Sequence, residues 1–129
     1  MDKTQYEAIG TKIVDAAYNV HCELGPGLLE SVYEYCMLEE LRARDLAVNS
    51  QAKLPLIYKG KTLNKDFIID ILVEDEIIIE LKAVEKLQPV HEVQILTYMR
   101  LANKKLSYLI NFNVPLIKNG IKRKINGYL

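Results

Sequence analysis

Two apolar segments joined by an acidic turn constrain the fold of this chain more than any other feature. Residues 66–73 read DFIIDILV and residues 77–83 read IIIELKA, on either side of the turn EDE. Runs rich in β-branched residues that flank a short polar turn predict a β-hairpin. Burying a lone charge is costly, yet Asp70, Glu80 and Lys82 interrupt these runs. The register of the hairpin therefore decides where three ionisable groups lie.

A three-residue turn at residues 74–76 gives this hairpin a consistent register. Because side chains alternate between the two faces of a strand, such a turn sets Asp70 directly opposite Glu80. One face is then wholly apolar and consists of Ile69, Ile71, Val73, Ile77, Ile79 and Leu81. The other face carries Asp70, Glu80 and Lys82 at the end away from the turn. A two-residue turn would bury an unpaired carboxylate unless a bulge restored the register.

The predicted pair of carboxylates needs a neutralising partner. Opposite residues of an antiparallel pair have Cβ atoms about 5 Å apart, and like charges at that distance repel. A hard divalent cation is one candidate partner, and Lys82 projects to the same side, where it could hold a water beside the ion. The alternative is a salt bridge that Lys82 forms with Glu80 or with Asp70. Spacing alone leaves both interpretations open.

The rest of the chain predicts the element order ααβββαββ, an α/β fold in which helices cover a mixed sheet. The segment TQYE indicates a first helix capped by Thr4 with Glu7 three residues on, and the second helix runs from about Leu28 to Ala43. Pro55 indicates an edge strand or a bulge, and Pro89 suits the first turn of a third helix. Asn119-Gly120 predicts a short final hairpin. We expect residues 1–129 to form one domain.

Charge is distributed unevenly along the chain, although its formal net charge is zero. Residues 1–92 contain 10 Lys and Arg against 17 Asp and Glu, whereas residues 93–129 contain 7 basic residues and no acidic residue. The basic part is either a surface for a phosphate backbone or a solvated tail. The N-terminus lacks the pattern of a signal peptide, and no apolar run approaches the length of a bilayer span. The sequence therefore predicts a cytoplasmic protein.

Three motifs together resemble a known family. Asp70, followed by Glu80-Leu81-Lys82, resembles the D…(D/E)xK signature of the PD-(D/E)XK nuclease superfamily. GLLESVY at 27–33 matches the Gly-x-x-Glu-x-x-Tyr motif of the GxxExxY protein family, whose members are small proteins of that superfamily. HEVQILTYMRL at 91–101 resembles the Gln-x-x-x-Tyr motif of its exonuclease-like branches. The resemblance extends from about residue 6 to residue 127, although Ile69 replaces the proline of the superfamily's name.

The resemblance implies a restriction-endonuclease-like α/β/α core and metal-dependent hydrolysis of phosphodiester bonds. Nucleic acid is the implied substrate, with DNA favoured over RNA, and Mg²⁺ is the implied cofactor, for which Mn²⁺ substitutes. The residues that resemble metal ligands are Asp70, Glu80, Leu81 through its backbone carbonyl, and Glu30. Lys82 and Gln94 resemble groups that orient the attacking water or the phosphate. We expect substrate contacts from Tyr98, Lys104, Lys105, Lys122 and Arg123.

Several alternatives remain open at this point. Glu30 is also a carboxylate favoured near a helix N-terminus by the helix dipole. Tyr33 either supports Glu30 or belongs to the core. The domain as a whole could be a nucleic-acid-binding module that cleaves poorly or not at all, or a structural or regulatory interaction protein. A small domain of this kind can also form a homodimer to span a duplex.

Overall fold

The chain forms an α/β fold around one five-stranded sheet, and the computed structural model describes all 129 residues. The helices are α1 (Lys3–Leu24), α2 (Glu30–Ala43) and α3 (Pro89–Ala102). The strands are β1 (Val48–Tyr58), β2 (Lys61–Val73), β3 (Ile77–Lys82), β4 (Leu106–Asn111) and β5 (Ile121–Ile125). A 3-10 turn at Ile117–Asn119 precedes β5. The predicted order ααβββαββ is confirmed.

The N-termini of the first two helices differ from the prediction by two residues. Asp2, not Thr4, caps α1: its carboxylate accepts the Gln5 N–H at 2.8 Å, and the Gln5 side chain accepts the Asp2 N–H at 2.8 Å. The predicted cap at Thr4 is wrong because Asp2, followed three residues later by Gln5, forms a capping box one half-turn earlier. Helix α2 begins at Glu30 instead of Leu28, because the preceding Leu29 is still extended.

Sheet topology brings the ends of two strands to one edge. The spatial order is β1-β2-β3-β4-β5, and every neighbouring pair is antiparallel except β3 and β4. Parallel strands need a crossover, which α3 supplies. Lys82 at the end of β3 therefore lies beside Asn111 at the end of β4. Strand β1 is an edge strand with an irregularity between Pro55 and Ile57, as Pro55 predicts.

Helices cover both faces of the sheet. Helices α1 and α2 bury their apolar stripes, which include Ile13 and Met37, against one face in a core of 20 buried residues. Helix α3 covers the opposite face with a smaller cluster of 7 buried residues, to which it contributes Ile95 and Met99. None of the helices combines the length and the apolar character that crossing a bilayer requires.

The β2–β3 hairpin has the predicted three-residue turn, but one residue of the predicted apolar face is misplaced. Ile71, Leu72 and Val73 pair with Ile79, Ile78 and Ile77. Ile71, Val73, Ile77, Ile79 and Leu81 lie in the core beneath α1 and α2. Ile69, in contrast, packs in the α3 cluster. The β1–β2 ladder is interrupted at the next position, where Gln51 has a φ of 52°. Because of this irregularity, Ile69 lies on the side of the sheet that α3 covers, whereas alternation along an unbroken strand would place it beneath α1 and α2.

The C-terminal strand does not form the predicted local hairpin. Strand β5 instead pairs along β4, from Ile121 opposite Ile110 to Ile125 opposite Leu106. Gly120 has a φ of −100°, so it is not in the conformation of a tight hairpin turn. A Cβ atom at Gly120 would clash with the backbone oxygen of Asn111. The glycine is required for close approach to β4, and the Asn-Gly signal for a two-residue turn is wrong here.

Beyond the core, β1 and β2 continue as a projecting β-hairpin. We call residues 53–68 the β1–β2 ribbon. On the side of β2 that faces β3, pairing is restricted to residues 71–73, so the ribbon has no neighbouring strand on either side. None of its residues is buried. Lys59 and Gly60 form its tip with φ values of 50° and 77°, as a type I′ turn requires.

Candidate functional site

The candidate site lies where β2 and β3 separate. Main-chain pairing between these strands ends at Ile71 and Ile79, and the next positions are Asp70 and Glu80. Where the main-chain hydrogen bonds between β2 and β3 are missing, each carboxylate accepts a backbone N–H group of the other strand. The Asp70 N–H donates to Glu80 Oε1 at 3.1 Å, and the Leu81 N–H donates to Asp70 Oδ2 at 2.8 Å. The predicted juxtaposition of Asp70 with Glu80 is thus present in the structure, held by the backbone of both strands.

No basic side chain forms an ion pair with Asp70 or Glu80. The structure contains four ion pairs, and none of them involves Asp70, Glu80 or Lys82. The side chain of Glu80 is only 6% exposed. Burial and then the neighbouring Asp70 charge raise the pKa of Glu80 from 4.5 to about 8, a shift that Lys82 opposes. The salt-bridge alternative is therefore not what the structure contains.

Helix α2 contributes a third acidic group from above the strand break. Glu30 is the first residue of α2. Burial and then the charge of Asp70 raise its pKa, whereas Lys82 lowers it, so Glu30 lies within electrostatic range of the pair. Glu34, one turn later, accepts hydrogen bonds from Ser50 Oγ at 3.1 Å and from Gln51 Nε2 at 2.8 Å. These bonds fix the start of α2 over the irregularity opposite Asp70.

Tyr33 fixes the loop that leads into Glu30. Its ring is fully buried and stacks on Phe112 with centroids 4.5 Å apart. Its hydroxyl donates to the Gly25 carbonyl oxygen at 2.7 Å and accepts the Leu28 N–H at 3.1 Å. Gly27 between them has a φ of 99°, which favours glycine. Tyr33 is therefore a core residue that also determines where α2 begins.

We expect Tyr33→Phe to lower the free energy of unfolding by about 1–3 kcal/mol, because it leaves two backbone groups without their partner. Urea unfolding followed by circular dichroism measures this change. The matched control is Tyr35→Phe on the same helix, because the Tyr35 side chain is 75% exposed. Equal stability of the two variants would show that the Tyr33 hydroxyl does not hold the loop.

Asn111 fixes the chain as it leaves Lys82. Its buried side chain donates to the Val84 carbonyl oxygen at 2.9 Å and accepts the Val84 N–H at 3.1 Å. The Phe112 N–H also donates to the Lys82 carbonyl oxygen at 3.0 Å. These contacts hold β3 and β4 together at the edge that carries the site. Sequence analysis missed Asn111, although an amide within the apolar run LSYLIN is a signal for such a role.

Gln94 and Tyr98 share one face of α3, as their spacing predicts. Gln94 Nε2 donates to the Tyr98 hydroxyl at 3.1 Å, and the Tyr98 ring packs against Phe67 with centroids 5.1 Å apart. Neither side chain forms a hydrogen bond with Asp70, Glu80 or Lys82. Tyr98 thus connects α3 to the base of the β1–β2 ribbon, and the predicted roles of both residues toward the substrate stay predictions.

The basic residues expected to bind substrate are dispersed. Lys104 donates to the Asp75 carbonyl oxygen at 2.8 Å, at the turn of the β2–β3 hairpin. Lys105 precedes β4 at the same end of the sheet, with its ammonium 5.7 Å from the Tyr128 ring centre. Both therefore lie at the end of the strands opposite to Lys82. Arg123 forms an ion pair with Glu7 at 2.9 Å, and Lys122 lines a cleft with Asn111 at the site edge.

Asp70 and Glu80 carry the type of oxygen atom that a hard divalent cation takes as a ligand, but they do not enclose an ion by themselves. No group of three or more acidic, histidine or cysteine side chains converges closely enough to enclose an ion. Asp70 and Glu80 nevertheless lie side by side without an ion-pair partner. Mg²⁺ is typically held by one or two carboxylates, with waters and phosphate oxygens completing its coordination. Leu81 contacts the site through its N–H group, which Asp70 accepts.

Comparison with known families shows the class to which this α/β domain belongs. The family model of the PD-(D/E)XK nuclease superfamily matches residues 7–124. The chain therefore belongs to the PD-(D/E)XK nuclease superfamily, and its three helices and mixed five-stranded sheet are consistent with the restriction-endonuclease-like fold. Nucleases of this superfamily typically use divalent metal ions. No curated protein matches the chain.

Proposed function

We propose that this protein is a divalent-metal-dependent nuclease that hydrolyses phosphodiester bonds, with DNA as its substrate and Mg²⁺ or Mn²⁺ as its cofactor. The observation that carries this proposal is the close pair of Asp70 and Glu80, which forms no ion pair although Lys82 is near enough to oppose the rise in the Glu80 pKa. A protein rarely keeps two acidic groups together in a partly buried place without an ion-pair partner, since the charge of each disfavours ionisation of the other. Strongly perturbed carboxyl groups of this kind are characteristic of functional sites.

Each residue of the proposed site has a separate role. Asp70 and Glu80 bind the cation, with the Leu81 carbonyl and Glu30 as further ligands. A bound divalent cation lowers the pKa of its water and neutralises charge that develops on the phosphate. Lys82 orients the attacking water and adds positive charge near the phosphate. Gln94, Tyr98 and the basic residues Lys104, Lys105, Lys122 and Arg123 are proposed to contact the substrate.

Lys82→Met tests the role of the ammonium group, because methionine keeps most of the apolar stem. We expect DNA cleavage in Mn²⁺ to fall by about 10²–10⁴-fold, the range for losing a positioned proton-transfer group. Binding of Mn²⁺ should persist, because the ammonium is not a ligand. Rates of plasmid cleavage together with calorimetric titration of Mn²⁺ measure the two effects separately. The control is Lys118→Met at an exposed position of the 3-10 turn.

Unchanged cleavage by Lys82→Met would remove this residue from the mechanism. Loss of Mn²⁺ binding together with cleavage would instead assign Lys82 a structural role in holding the carboxylates. Retention of both Mn²⁺ binding and DNA cleavage by the Lys118→Met control would establish that the loss of one positive charge does not itself cause the slower cleavage.

A further inference from the structure

The β1–β2 ribbon carries a concentration of positive charge that the charge balance along the sequence conceals. Residues 53–68 contain four lysines and one acidic residue, Asp66, within the otherwise acidic part of the chain. The four are Lys53, Lys59, Lys61 and Lys65. All four are exposed, and none forms an ion pair. In the C-terminal basic region, residues 93–129, Arg123 and Lys124 are paired with Glu7 and Glu92, whereas the other five basic residues form no ion pair.

The shape of this ribbon fits a nucleic-acid groove. It is two strands wide, and the strands of a sheet lie about 4.8 Å apart. The major groove of duplex DNA is about 12 Å wide and admits a two-stranded β-ribbon. The ribbon also exposes apolar side chains, with Ile57 at 53% and Tyr58 at 58%. Such groups contact thymine methyl groups and sugars when a ribbon enters a groove.

The ribbon is continuous with the candidate site, because Asp70 belongs to the same strand. At about 3.3 Å per residue, Lys65 lies about 16 Å along β2 from Asp70, and Lys61 about 30 Å. One helical turn of a duplex measures about 34–36 Å. A ribbon that enters the groove would therefore contact phosphates within one turn of a phosphate held at Asp70.

Pairing of the ribbon with a strand of another protein is the main rival explanation. An edge strand invites such pairing unless proline, bulges or lysines prevent it. The outer edge of β1 has all three, since Pro55 lacks an N–H, an irregularity follows it before Ile57, and Lys53 and Lys59 flank it. These features disfavour a partner strand at the edge of β1, and on the opposite edge Lys61, Lys65 and Asp66 of β2 add charge that also disfavours strand pairing.

We infer that the β1–β2 ribbon binds double-stranded nucleic acid by inserting into its groove, with Lys59, Lys61 and Lys65 contacting the phosphate backbone. This inference rests on the proposed function for the placement of the scissile phosphate at Asp70. It specifies the substrate as a duplex, and it adds a binding element outside the C-terminal basic region.

The test compares two triple variants of the full chain in EDTA, where no cleavage occurs. One carries Lys59→Gln, Lys61→Gln and Lys65→Gln in the ribbon. The matched control carries Lys3→Gln, Lys12→Gln and Lys118→Gln on α1 and the 3-10 turn, and it loses the same net charge. Fluorescence anisotropy measures binding to a labelled 20-base-pair DNA duplex and to one of its single strands across a series of salt concentrations.

We expect the ribbon variant to bind the duplex at least about tenfold more weakly than the wild type, and the control to stay within about twofold. Each lost phosphate contact lowers the salt slope by about 0.9, so the ribbon variant should lose about 2–3 from that slope. The wild type should prefer the duplex to the single strand. Equal effects of the two triple variants, or equal affinity for single strand and duplex, would overturn the inference.

A second measurement does not depend on the folding of a variant. Duplex DNA should protect Lys59, Lys61 and Lys65 of the wild-type chain from acetylation, as read by mass spectrometry, whereas Lys3 and Lys12 stay reactive. Reactivity of the ribbon lysines that is unchanged by the duplex would overturn the inference. A wild-type dimer that the ribbon substitutions dissociate would also overturn it, because the ribbon would then bind a second copy of this chain.

Failure of the inference and failure of the proposed function give different results. Hydrolysis of bis(4-nitrophenyl) phosphate in Mn²⁺ reports the carboxylate site alone, because this diester is too small to reach the ribbon. Ribbon-dependent duplex binding without hydrolysis would reject the nuclease and keep the ribbon. If the wild type and both triple variants hydrolyse the small diester and bind the duplex with equal affinity, the nuclease proposal stands and the ribbon inference is rejected.

Discussion

We expect Asp70→Asn to abolish the proposed metal-dependent cleavage of DNA while the protein remains folded. Asparagine keeps the size of the side chain and can still accept the Leu81 N–H, which Asp70 Oδ2 accepts at 2.8 Å. It removes the charge that would attract a cation. Charge stabilisation by a catalytic metal contributes several kcal/mol, and about 1.36 kcal/mol corresponds to a factor of ten in rate. We therefore expect a loss of at least about 10³-fold.

The measurement is cleavage of supercoiled plasmid and of single-stranded DNA in Mg²⁺ and in Mn²⁺. Asp45→Asn is the matched control, since Asp45 is exposed in the loop after α2 and its φ of 59° is one that asparagine also adopts. Wild-type activity in Asp70→Asn would exclude the proposed site. A wild-type protein that binds DNA but cleaves neither substrate would support the binding-module alternative.

We expect Glu80→Gln to stabilise the metal-free protein at alkaline pH. The Glu80 carboxyl titrates at a pKa of about 8 in the folded protein, against 4.5 for the unperturbed group. The folded state therefore retains a proton that the unfolded chain loses above pH 4.5. Consequently this group lowers stability progressively between pH 4.5 and pH 8 and leaves it unaffected below that window. Since one pKa unit corresponds to about 1.4 kcal/mol, the full effect at pH 9 is on the order of a few kcal/mol.

The expected result is that Glu80→Gln and the wild type unfold at the same urea concentration at pH 5 in EDTA. At pH 9 the variant should be more stable by about 2–4 kcal/mol, in line with this linkage. Glu39→Gln, an exposed carboxyl on α2, controls for the loss of one negative charge. Parallel loss of stability in wild type and Glu80→Gln between pH 5 and pH 9 would contradict the account of this carboxylate pair.

Local sequence patterns predict those parts of the fold that short-range chemistry determines. The three-residue turn at residues 74–76 follows from the requirement that Asp70 and Glu80 share a side, and the structure has that register. The edge position of β1 follows from the missing N–H of Pro55. The element order follows from the change between helical and strand periodicity along the chain.

The cap of α1 is a local error, since Asp2 and Thr4 are both suitable capping residues, but two other errors arise where residues distant in sequence decide the outcome. Ile69 lies on the unexpected face because the ladder breaks at Gln51, a residue that Glu34 of α2 holds through a hydrogen bond. A prediction from side-chain alternation assumes an unbroken strand and takes no account of the contact between Gln51 and Glu34. Likewise, the net negative charge of residues 1–92 conceals the four lysines of the β1–β2 ribbon. Pairing of Arg123 with Glu7, which lies 116 residues earlier, reduces the charge available on the C-terminal basic region.

Calorimetric titration of Mn²⁺ into the wild type and Asp70→Asn at pH 7 tests the central claim most directly, namely that Asp70 and Glu80 form a cation site. Because the pKa of Glu80 is about 8, it is mostly protonated at this pH, and a bound cation must displace that proton. Titrations in PIPES and in Tris should therefore differ in heat by the ionisation of about one proton per bound ion. Asp70→Asn should bind far more weakly. Identical titrations for the two proteins, or no Mn²⁺ binding by the wild type, would contradict the account.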